Sequence, residues 1–586
     1  MVRQLAADGA PARFERSRGR LWICGDAQKS AEGEGGEAIL VAEGFVAQGE
    51  QRLEEIVGRA TAQPPEGHFV LAEARLGRGE LSLVRSISGG ERLYYARVGE
   101  VLIFGSSVRH VLAHPELGRE LDAAICDEVI LNGHPVVGAC SPFVGVEEVP
   151  PGHVVTVRGG ERPPERRWLW RDRLRSPQGA PEQLAREFAD ALRASIARAV
   201  GRRRPVAVAL SGGIDSSAIA AAAADVVGAD QLVALSYEFD DPTHPRETQY
   251  AEMVCRALGI RDHRVFKIGR EEFLAAIPEH VWRSENPVHW PKAFMLPVAR
   301  RIRDEGFDLY LTGFGIGSHM LFMRELAALM QLPVLPRLLA PLWRVAVLGR
   351  DPRFAELARI HPALEPPHPR LYDTLLRIFE REGLIADARA YYPLAWAPLL
   401  RRRRALGAED PYVAEQGTLA ERLQRQAFKH LISCVDVTRS EKSSREAGLY
   451  RVSPAHFAAT LPYAYFPIEP LPPLWSAARR QRPGKYLLQL AFRGVLPDEV
   501  LFRKKSWADA VASPTWLRAG RRMMLRAVPR FPDIGVDDSA AYRAALLDWE
   551  PRSILASSLS FAFWRRLFVE RALEPRPPTW PELHST

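Results

Sequence analysis

The feature that most constrains the fold is a glycine turn between a short apolar run and an alanine-rich run, at Val206 to Ala218. The apolar run, Val206 to Leu210, has no polar alternation, which predicts a buried parallel strand. Ser211-Gly212-Gly213 interrupts it, and the residues from Asp215 onward predict a helix. A strand, a glycine turn and a helix N-terminus bind anions, because backbone N–H groups and the positive end of the helix dipole face the ligand. We therefore predict a phosphate loop, although it is not a Walker A loop, since no Gly-Lys-Ser/Thr follows.

The bulk composition restricts the classes of protein to which the chain can belong. A length of 586 residues exceeds what one hydrophobic core fills, so we expect two to four domains. Hydrophobic residues make up 47% and charged residues 26%, which is typical of a soluble globular protein, and no apolar run is long enough to span a membrane. The five cysteines lie far apart without a C-x-x-C pair. This pattern disfavours a disulfide framework and a zinc site, and it favours a cytoplasmic location.

The formal net charge of +8 favours anionic partners such as ATP or an acidic peptide. The strongest basic cluster, Arg401 to Arg404, could bind nucleic acid. A solvated helix face explains the cluster better, because no nucleic-acid-binding motif accompanies it. We therefore expect neither a nucleic acid nor a membrane as a partner.

Apolar runs between glycine turns predict a β-rich first domain, residues 1–175. Its motif order, from His68-Phe69 through Leu93-Tyr94-Tyr95 to Val149-Pro150-Pro151-Gly152-His153, resembles the glutamine-amidotransferase domain of asparagine synthetases. The resemblance implies an α+β sandwich of the N-terminal-nucleophile (Ntn) class, with an N-terminal cysteine as the nucleophile. Position 2 is Val2, which has no thiol, so we expect no glutamine hydrolysis and a degenerate domain with a structural or docking role.

In the second domain, residues 176–586, apolar runs alternate with helical patterns, which predicts a doubly wound parallel sheet with many added helices. The apolar residues from Pro181 to Val200 recur about every fourth position, which predicts a helix that leads into the first strand. After the glycine turn, Leu232 to Tyr237 predicts a second strand and Val265-Phe266 a third. Leu309 to Leu311 predicts a fourth, which runs into a glycine turn. Ligands of such a sheet bind at the C-terminal ends of its strands.

Two blocks of the second domain resemble the asparagine synthetase-like family. Ser211-Gly212-Gly213-Ile214-Asp215-Ser216 resembles the pyrophosphate loop of ATP-pyrophosphatase-type synthetases, which split ATP into AMP and pyrophosphate to adenylate a carboxylate. Far along the chain, Lys485 to Lys505 resembles the family's C-terminal signature. The resemblance implies ATP and Mg²⁺ as cofactors, with Asp215 as the metal ligand. The implied ATP-binding residues are Leu210, Ser211, Gly212, Gly213, Asp215, Ser216, Ser217, Ser236, Gly313 and Gly315.

The same resemblance implies catalytic residues. Lys485 matches the lysine that stabilises negative charge during amide formation, and Glu446 and Glu469 are further candidates. Glu469 ends the stretch Phe466-Pro467-Ile468-Glu469, which resembles the family's P-F-x-D with the order disturbed. Ser284-Glu285-Asn286-Pro287 resembles the family's acidic-x-Pro substrate loop, although a surface turn explains it equally well.

The loop from Gly313 to His319 departs most from the family pattern. The family's second magnesium carboxylate would fall on Gly317 or Ser318, and neither side chain supplies an anionic oxygen. We therefore expect an active enzyme that binds magnesium more weakly, by roughly tenfold or more.

Together these resemblances imply an ATP-dependent, AMP-forming amide ligase. Without ammonia from glutamine, the amine should belong to the substrate itself, which fits the lasso peptide cyclases and the β-lactam synthetases. The length of the chain and the arginine-rich helical pattern of residues 320–427 favour a lasso peptide cyclase (macrolactam synthetase), which must hold a folded peptide.

A lasso peptide cyclase adenylates an Asp or Glu side chain of its precursor peptide, and the peptide's N-terminal amine then closes an isopeptide ring. The implied partners are the precursor peptide, a leader peptidase and a leader-binding protein. A β-lactam synthetase-like ligase acting on a small amino acid is the alternative enzyme. A non-catalytic scaffold that kept the fold is the rival from another class.

Overall fold

The protein is described from a computed structural model. The structure describes residues 13–126, 141–169, 177–316, 442–465, 485–503, 513–528 and 554–585, apart from short gaps within these ranges. We refer to residues 13–169 as the N-terminal unit and to residues 177–585 as the C-terminal unit.

The N-terminal unit is built mainly of strands. Its strands are β1 (Arg13–Arg18), β2 (Leu21–Asp26), β3 (Ser30–Glu32), β4 (Ala38–Val46), β5 (Gly67–Arg75), β6 (Glu80–Arg85), β7 (Tyr94–Val98), β8 (Val101–Gly105), β9 (Val146–Glu148), β10 (His153–Arg158) and β11 (Glu165–Trp168). Its α-helices are α1 (Gly49–Ile56) and α2 (Val108–Leu112).

These strands form a sandwich of antiparallel sheets. One sheet has six strands in the order β11-β10-β6-β5-β4-β3, the second has three in the order β8-β7-β9, and β1 pairs with β2 alone. Val70, Leu83 and Val155 of the larger sheet share a buried core with Tyr95 of the smaller one. Helix α1 packs on the opposite face of the larger sheet, where Leu53 is buried. The layers are therefore helix, sheet and sheet, as an α+β sandwich requires.

The C-terminal unit alternates strands with helices. Its strands are β12 (Val206–Ala209), β13 (Leu232–Phe239), β14 (Asp262–Ile268), β15 (Leu309–Leu311) and β16 (Tyr450–Val452). Its α-helices are α3 (Pro181–Val200), α4 (Ile214–Val227), α5 (Thr248–Leu258), α6 (Arg270–Ser284), α7 (Met295–Asp304), α8 (Leu461–Tyr465), α9 (Tyr486–Ala491), α10 (Asp498–Leu501), α11 (Pro514–Ala527), α12 (Ile554–Arg565) and α13 (Trp580–His584).

The five strands that the structure describes in the C-terminal unit form one parallel sheet in the order β14-β13-β12-β15-β16. The chain winds outward in one direction from β12 to β14 and then returns to the other side of β12 with β15. This reversal lies between β12 and β15, and such a switch point opens a crevice at the C-terminal ends of the two strands. The predicted α/β fold, with an N-terminal sandwich and a doubly wound parallel sheet carrying added helices, is confirmed.

Helix α4 explains why the chain needs an alanine run after the glycine turn. Ala218, Ala220 and Ala222 have no exposed surface, and the helix packs against β12, β13, α3, α9 and α10. A helix surrounded on so many sides can approach its neighbours closely only if its side chains are small. The alanine run therefore places the N-terminus of α4 deep in the unit, at the end of β12.

The structure also corrects the sequence-based picture. The fifth strand, β16, was not predicted, and it extends the sheet on the far side of β15. Gly494 and Pro497 predict that the helix after Lys485 ends at a glycine cap, but that helix already ends at Ala491. Within the part of the chain that the structure describes, no helix has both the length and the apolar character needed to cross a bilayer.

Candidate active site

The predicted phosphate loop joins the end of β12 to the start of α4. Gly213 is the N-cap residue of α4, and Ser211 N donates a hydrogen bond of 3.2 Å to Ser216 Oγ. Ser216 Oγ in turn donates to the carbonyl oxygen of Gly213 at 3.0 Å. The Ser216 hydroxyl thus closes the turn from inside, so the loop has a fixed shape before any ligand binds.

Gly212 is a position where only glycine fits. Its φ is +69°, and a Cβ there would lie 2.4 Å from Tyr250 Cβ and 2.7 Å from Ala251 N. An L-residue would be strained by this φ and would also clash with the backbone of α5. The glycine therefore lets the phosphate loop rest directly on the start of α5.

The hydroxyl groups of Ser217 and Ser236 bind backbone carbonyl oxygens of the phosphate loop, so they support the loop from its buried side. Ser217 Oγ donates to the carbonyl oxygen of Gly213 at 2.9 Å, and the residue is fully buried. Ser236 Oγ donates to the carbonyl oxygen of Leu210 at 2.5 Å. Because its one proton is used there, Ser236 accepts from His263 Nε2 at 2.8 Å, which assigns a proton to that nitrogen. Burial lowers the pKa of His263, which favours the neutral ring.

A second glycine brings the end of β15 against the phosphate loop. A Cβ on Gly313 would lie 2.4 Å from both the carbonyl carbon and the carbonyl oxygen of Asp215. The two loops at the switch point therefore touch through their backbones. The structure places Gly313 in the site that the resemblance implied, whereas Gly315 and residues 317–319 lie outside the described residues.

Lys485 reaches the phosphate loop from a distant part of the chain. It is the N-cap residue of α9, and its Nζ donates to Asp215 Oδ1 at 2.5 Å, across 270 residues of sequence. The same ammonium group donates to the carbonyl oxygen of Ile316 at 2.7 Å. The side chains of Lys485 and Asp215 are only 11% and 24% exposed, so water screens this pair less than it screens a surface pair. The structure thus brings the implied catalytic lysine and the implied metal ligand together.

Arg503 is a residue of this region to which the sequence assigned no role. It forms an ion pair with Glu247, the N-cap residue of α5, and its guanidinium lies 4.0 Å from the ring centroid of Tyr250. Both contacts hold the C-terminal signature against the helix on which Gly212 rests. The sequence shows an arginine inside the C-terminal signature. Its partner Glu247 lies 256 residues away, so no local pattern could identify the ion pair.

Of the implied site residues, Glu446 and Glu469 lie outside the described residues. Glu285 is described, and it is 3% exposed, which overturns the surface-turn interpretation for this residue. It follows α6 with φ of +51° and accepts from Lys442 Nζ at 2.5 Å and from Arg109 Nε at 2.8 Å. Burial alone would raise the pKa of Glu285, but Lys442 and Arg109 outweigh it and hold the pKa well below its usual range.

The residues present fit a magnesium ion held mainly by its substrate. Among the described residues, no group of three His, Cys, Asp or Glu side chains is placed to ligate a metal. Mg²⁺ usually binds through one or two carboxylates together with substrate phosphates and water. Asp215, on the first turn of α4, can supply one such carboxylate beside the place where phosphates would bind.

Comparisons with known proteins relate two segments of the chain to known families. Residues 187–323 match the family model for asparagine synthase, and residues 52–169 match that for the glutamine amidotransferase domain. Both matches support the asparagine synthetase-like family for this chain.

Three relatives illustrate how far the similarity extends. The amidase chyE of Penicillium rubens is 25% identical over 267 residues, which cover 43% of this chain and 38% of the relative. The glutamine-hydrolysing asparagine synthetase 2 of Bacillus subtilis is 26% identical over 269 residues, 42% of this chain and 35% of the relative. The carboxyethyl-arginine beta-lactam-synthase of Streptomyces clavuligerus is 30% identical over 283 residues, 45% of this chain and 52% of the relative. The similarity thus spans between about a third and about a half of the length of each relative.

Proposed function

We propose that the protein is an ATP-dependent carbon–nitrogen ligase that cleaves ATP to AMP and pyrophosphate. The observation that carries this proposal is the contact between Lys485 and Asp215 on the glycine loop at the switch point. The positive end of a helix, a carboxylate and a partly buried ammonium group converge there, and together they suit a polyphosphate more than any neutral ligand.

Each described residue has a distinct part in this reaction. The backbone N–H groups at the start of α4 would bind the phosphates, and the Ser216 hydroxyl keeps that turn closed. Asp215 would hold a magnesium ion, which when bound neutralises charge on the phosphates. Lys485 would stabilise negative charge during amide formation, as the resemblance implies, and also on the phosphates as the α–β bond breaks, because its ammonium group already lies beside Asp215.

We propose further that the nucleophile is an amine of the substrate itself, so that the amide bond closes a ring. The similarity to a protein named as a β-lactam synthase supports this step, because a β-lactam is a cyclic amide. The substrate carboxylate would be activated as its adenylate, and the amine would then displace AMP with loss of a proton. The net change is the removal of one water from the substrate.

As the substrate we propose a precursor peptide, which makes the protein a lasso peptide cyclase. The length of the chain and the arginine-rich segment 320–427 support this choice, and that segment lies outside the described residues. The partners would be a leader peptidase and a leader-binding protein, and the cysteine pattern supports a cytoplasmic location. A small amino acid is the second candidate substrate, and the β-lactam synthase relative favours it.

The first experiment identifies the nucleotide products with candidate substrates and tests the variant Asp215→Asn. We expect AMP and pyrophosphate from the wild type and no product from the variant, because an amide is a poor magnesium ligand. Asp225→Asn is the matched control, since Asp225 lies on the same helix but is exposed at its far end. ADP as the product, or no cleavage of ATP with any substrate of either class, would favour the scaffold interpretation.

The second experiment separates the two substrate classes by mass spectrometry. The protein is incubated with ATP, Mg²⁺, a leader peptidase and candidate precursor peptides, or with small amino acids that carry both an amine and a carboxylate. A peptide product lighter by one water supports lasso peptide cyclisation. A small-molecule product lighter by one water, with unchanged peptides, supports the β-lactam synthetase-like alternative.

A further inference from the structure

The antiparallel strand pair β4 and β5 docks on β16, the edge strand of the parallel sheet, through β4. Phe45, near the end of β4, is 5% exposed, and its ring centroid lies 5.9 Å from that of Tyr450 on β16. Phe45 also belongs to the buried core that contains Leu311 and Val452, the last residues of β15 and β16. The N-terminal unit therefore contributes a side chain to the core beneath the candidate active site.

Gly67 determines the position of His68, the residue that follows it in β5. It pairs with Val46 at the start of β5, and its φ is +139°. A Cβ at this position would lie 2.1 Å from the carbonyl oxygen of Phe45, so only glycine allows the two strands to pair here. The side chain of His68 then follows at a fixed position, opposite the residues after β16.

His68 begins a chain of hydrogen bonds that leads to the active-site loop. Its Nε2 lies 3.3 Å from the carbonyl oxygen of Ser453, and a carbonyl oxygen only accepts, so His68 donates. Ser453 Oγ donates to the carbonyl oxygen of Phe314 at 2.8 Å. The Phe314 N–H is itself fixed by Thr312 Oγ1 at 3.2 Å.

The segment that this chain of bonds holds is the one that orients Lys485. We call residues 312–316 the β15 loop. It begins with Thr312, whose N–H donates to the carbonyl oxygen of Val452 at 2.9 Å, and it ends at Ile316. The carbonyl oxygen of Ile316 accepts from Lys485 Nζ at 2.7 Å. A shift of this loop would therefore move one of the acceptors that fix the ammonium group.

The ring of His68 has little freedom to turn away. It stacks on His456 with centroids 5.8 Å apart and planes inclined by 23°, and Phe457 lies against its edge at 6.2 Å. Both histidines are buried, at 4% and 3% exposed. Burial and the neighbouring His68 ring lower the pKa of His456 well below its usual range, so His456 packs as a neutral ring.

We infer that His68 is a positioning residue of the synthetase site, supplied by the N-terminal unit, and that it acts on Lys485 through Ser453 and the β15 loop. The effect on catalysis rests on the proposed function, whereas the effect on the loop does not. The N-terminal unit thus supplies a hydrogen bond that supports the β15 loop through Ser453 of the C-terminal unit.

The test compares His68→Leu with His68→Gln. Leucine keeps an apolar side chain of similar size but removes the donor, whereas glutamine retains an N–H group that can reach Ser453. The primary measurement is amide hydrogen exchange of the peptide that covers residues 309–316, in the protein without ligands. We expect exchange about tenfold faster in His68→Leu, the order expected when a buried carbonyl oxygen loses its donor, and within about threefold of wild type in His68→Gln.

The catalytic measurement is the split between kcat and KM for ATP in pyrophosphate release. We expect kcat to fall by about tenfold in His68→Leu with KM within about threefold, because Lys485 acts in the chemical step. The matched control is His153→Leu. His153 is another buried histidine that contacts a backbone carbonyl, that of Pro151, but within the N-terminal unit. It should leave the exchange of residues 309–316 unchanged.

Ser453→Ala tests the second bond of the chain from the C-terminal unit, and it also serves if His68→Leu does not fold. It should loosen the β15 loop to the same extent. Wild-type exchange in either variant, or equal damage from glutamine and leucine at position 68, would overturn the inference. If the wild type releases no pyrophosphate, the proposed function fails, and hydrogen exchange still decides the role of His68.

Discussion

Removing the charge of Lys485 is the sharpest test of the candidate active site. In Lys485→Met the side chain keeps its length and its packing stem but loses both donor contacts, at 2.5 Å to Asp215 and 2.7 Å to Ile316. A screened ion pair contributes up to about 1 kcal/mol and an ordinary hydrogen bond about 0.5–1.5 kcal/mol net, and the two contacts of this partly exposed ammonium group fall in these ranges. We therefore expect the folded protein to lose only about 1–2 kcal/mol of stability.

The expected loss of activity is much larger than the loss of stability. Losing a positioned charge beside a developing anion costs about two to four decades in kcat, which is about 2.7–5.5 kcal/mol in the activation free energy. These magnitudes separate the two effects, because a loss of about 1–2 kcal/mol lowers the melting temperature by only a few degrees. At 25 °C both proteins are therefore folded, and the rate reports chemistry alone.

The assay is pyrophosphate release at saturating ATP and Mg²⁺, with the melting temperature measured on the same samples. Lys267→Met is the matched control, because Lys267 is an exposed lysine on β14. It should keep the wild-type rate. A Lys485→Met enzyme that works at a rate near wild type would refute the reasoning and leave Lys485 only a structural partner of Asp215 and Ile316.

Two further predictions concern the supports of the site. Glu285→Gln should destabilise the protein by about 3–5 kcal/mol at pH 7, since Lys442 would lose its buried anion, whereas the exposed control Glu305→Gln should cost below about 1 kcal/mol. Because the pKa of Glu285 is lowered in the folded state, its contribution is full above the unfolded pKa of about 4.3 and is lost as pH falls below it. Denaturant midpoints at pH 7 and pH 3 should show the difference in unfolding free energy between wild type and variant narrowing by about 2 kcal/mol, and a constant difference would contradict this account. Gly313→Ala should lower the stability by about 1–3 kcal/mol and weaken ATP binding, because its Cβ would clash with the backbone of the phosphate loop. In the control Gly77→Ala a Cβ meets nothing within 4 Å, so calorimetry and ATP titration should give wild-type values.

Features with local patterns were predictable from the sequence alone. The helix from Pro181 to Val200 follows from apolar residues at helical spacing, and Leu184, Phe188 and Leu192 are all buried as that spacing requires. The phosphate loop was equally clear, because a strand, two glycines and an alanine run lie next to one another in the chain. The pairing of the Lys485 signature with that loop came from a resemblance, since no local pattern joins two segments 270 residues apart.

Only the tertiary structure decided the features that depend on distant partners. Strand β16 has three residues, which is too short for any periodicity, and it exists because Leu309 to Leu311 pair with Tyr450 to Val452. Glu285 is a buried ion rather than a surface turn because Lys442 and Arg109 reach it from 157 and 176 residues away.

The sequence by itself thus determined the alternating α/β pattern, the phosphate loop and the residue types of the site, because these are set by neighbours along the chain. The tertiary structure alone decided that Lys485 contacts both Asp215 and Ile316. It also decided that His68 of the N-terminal unit supports the β15 loop, to which Ile316 belongs. The physical reason is that hydrogen bonds and buried charges depend on angstrom distances between atoms, and only the packing of the whole chain sets those distances.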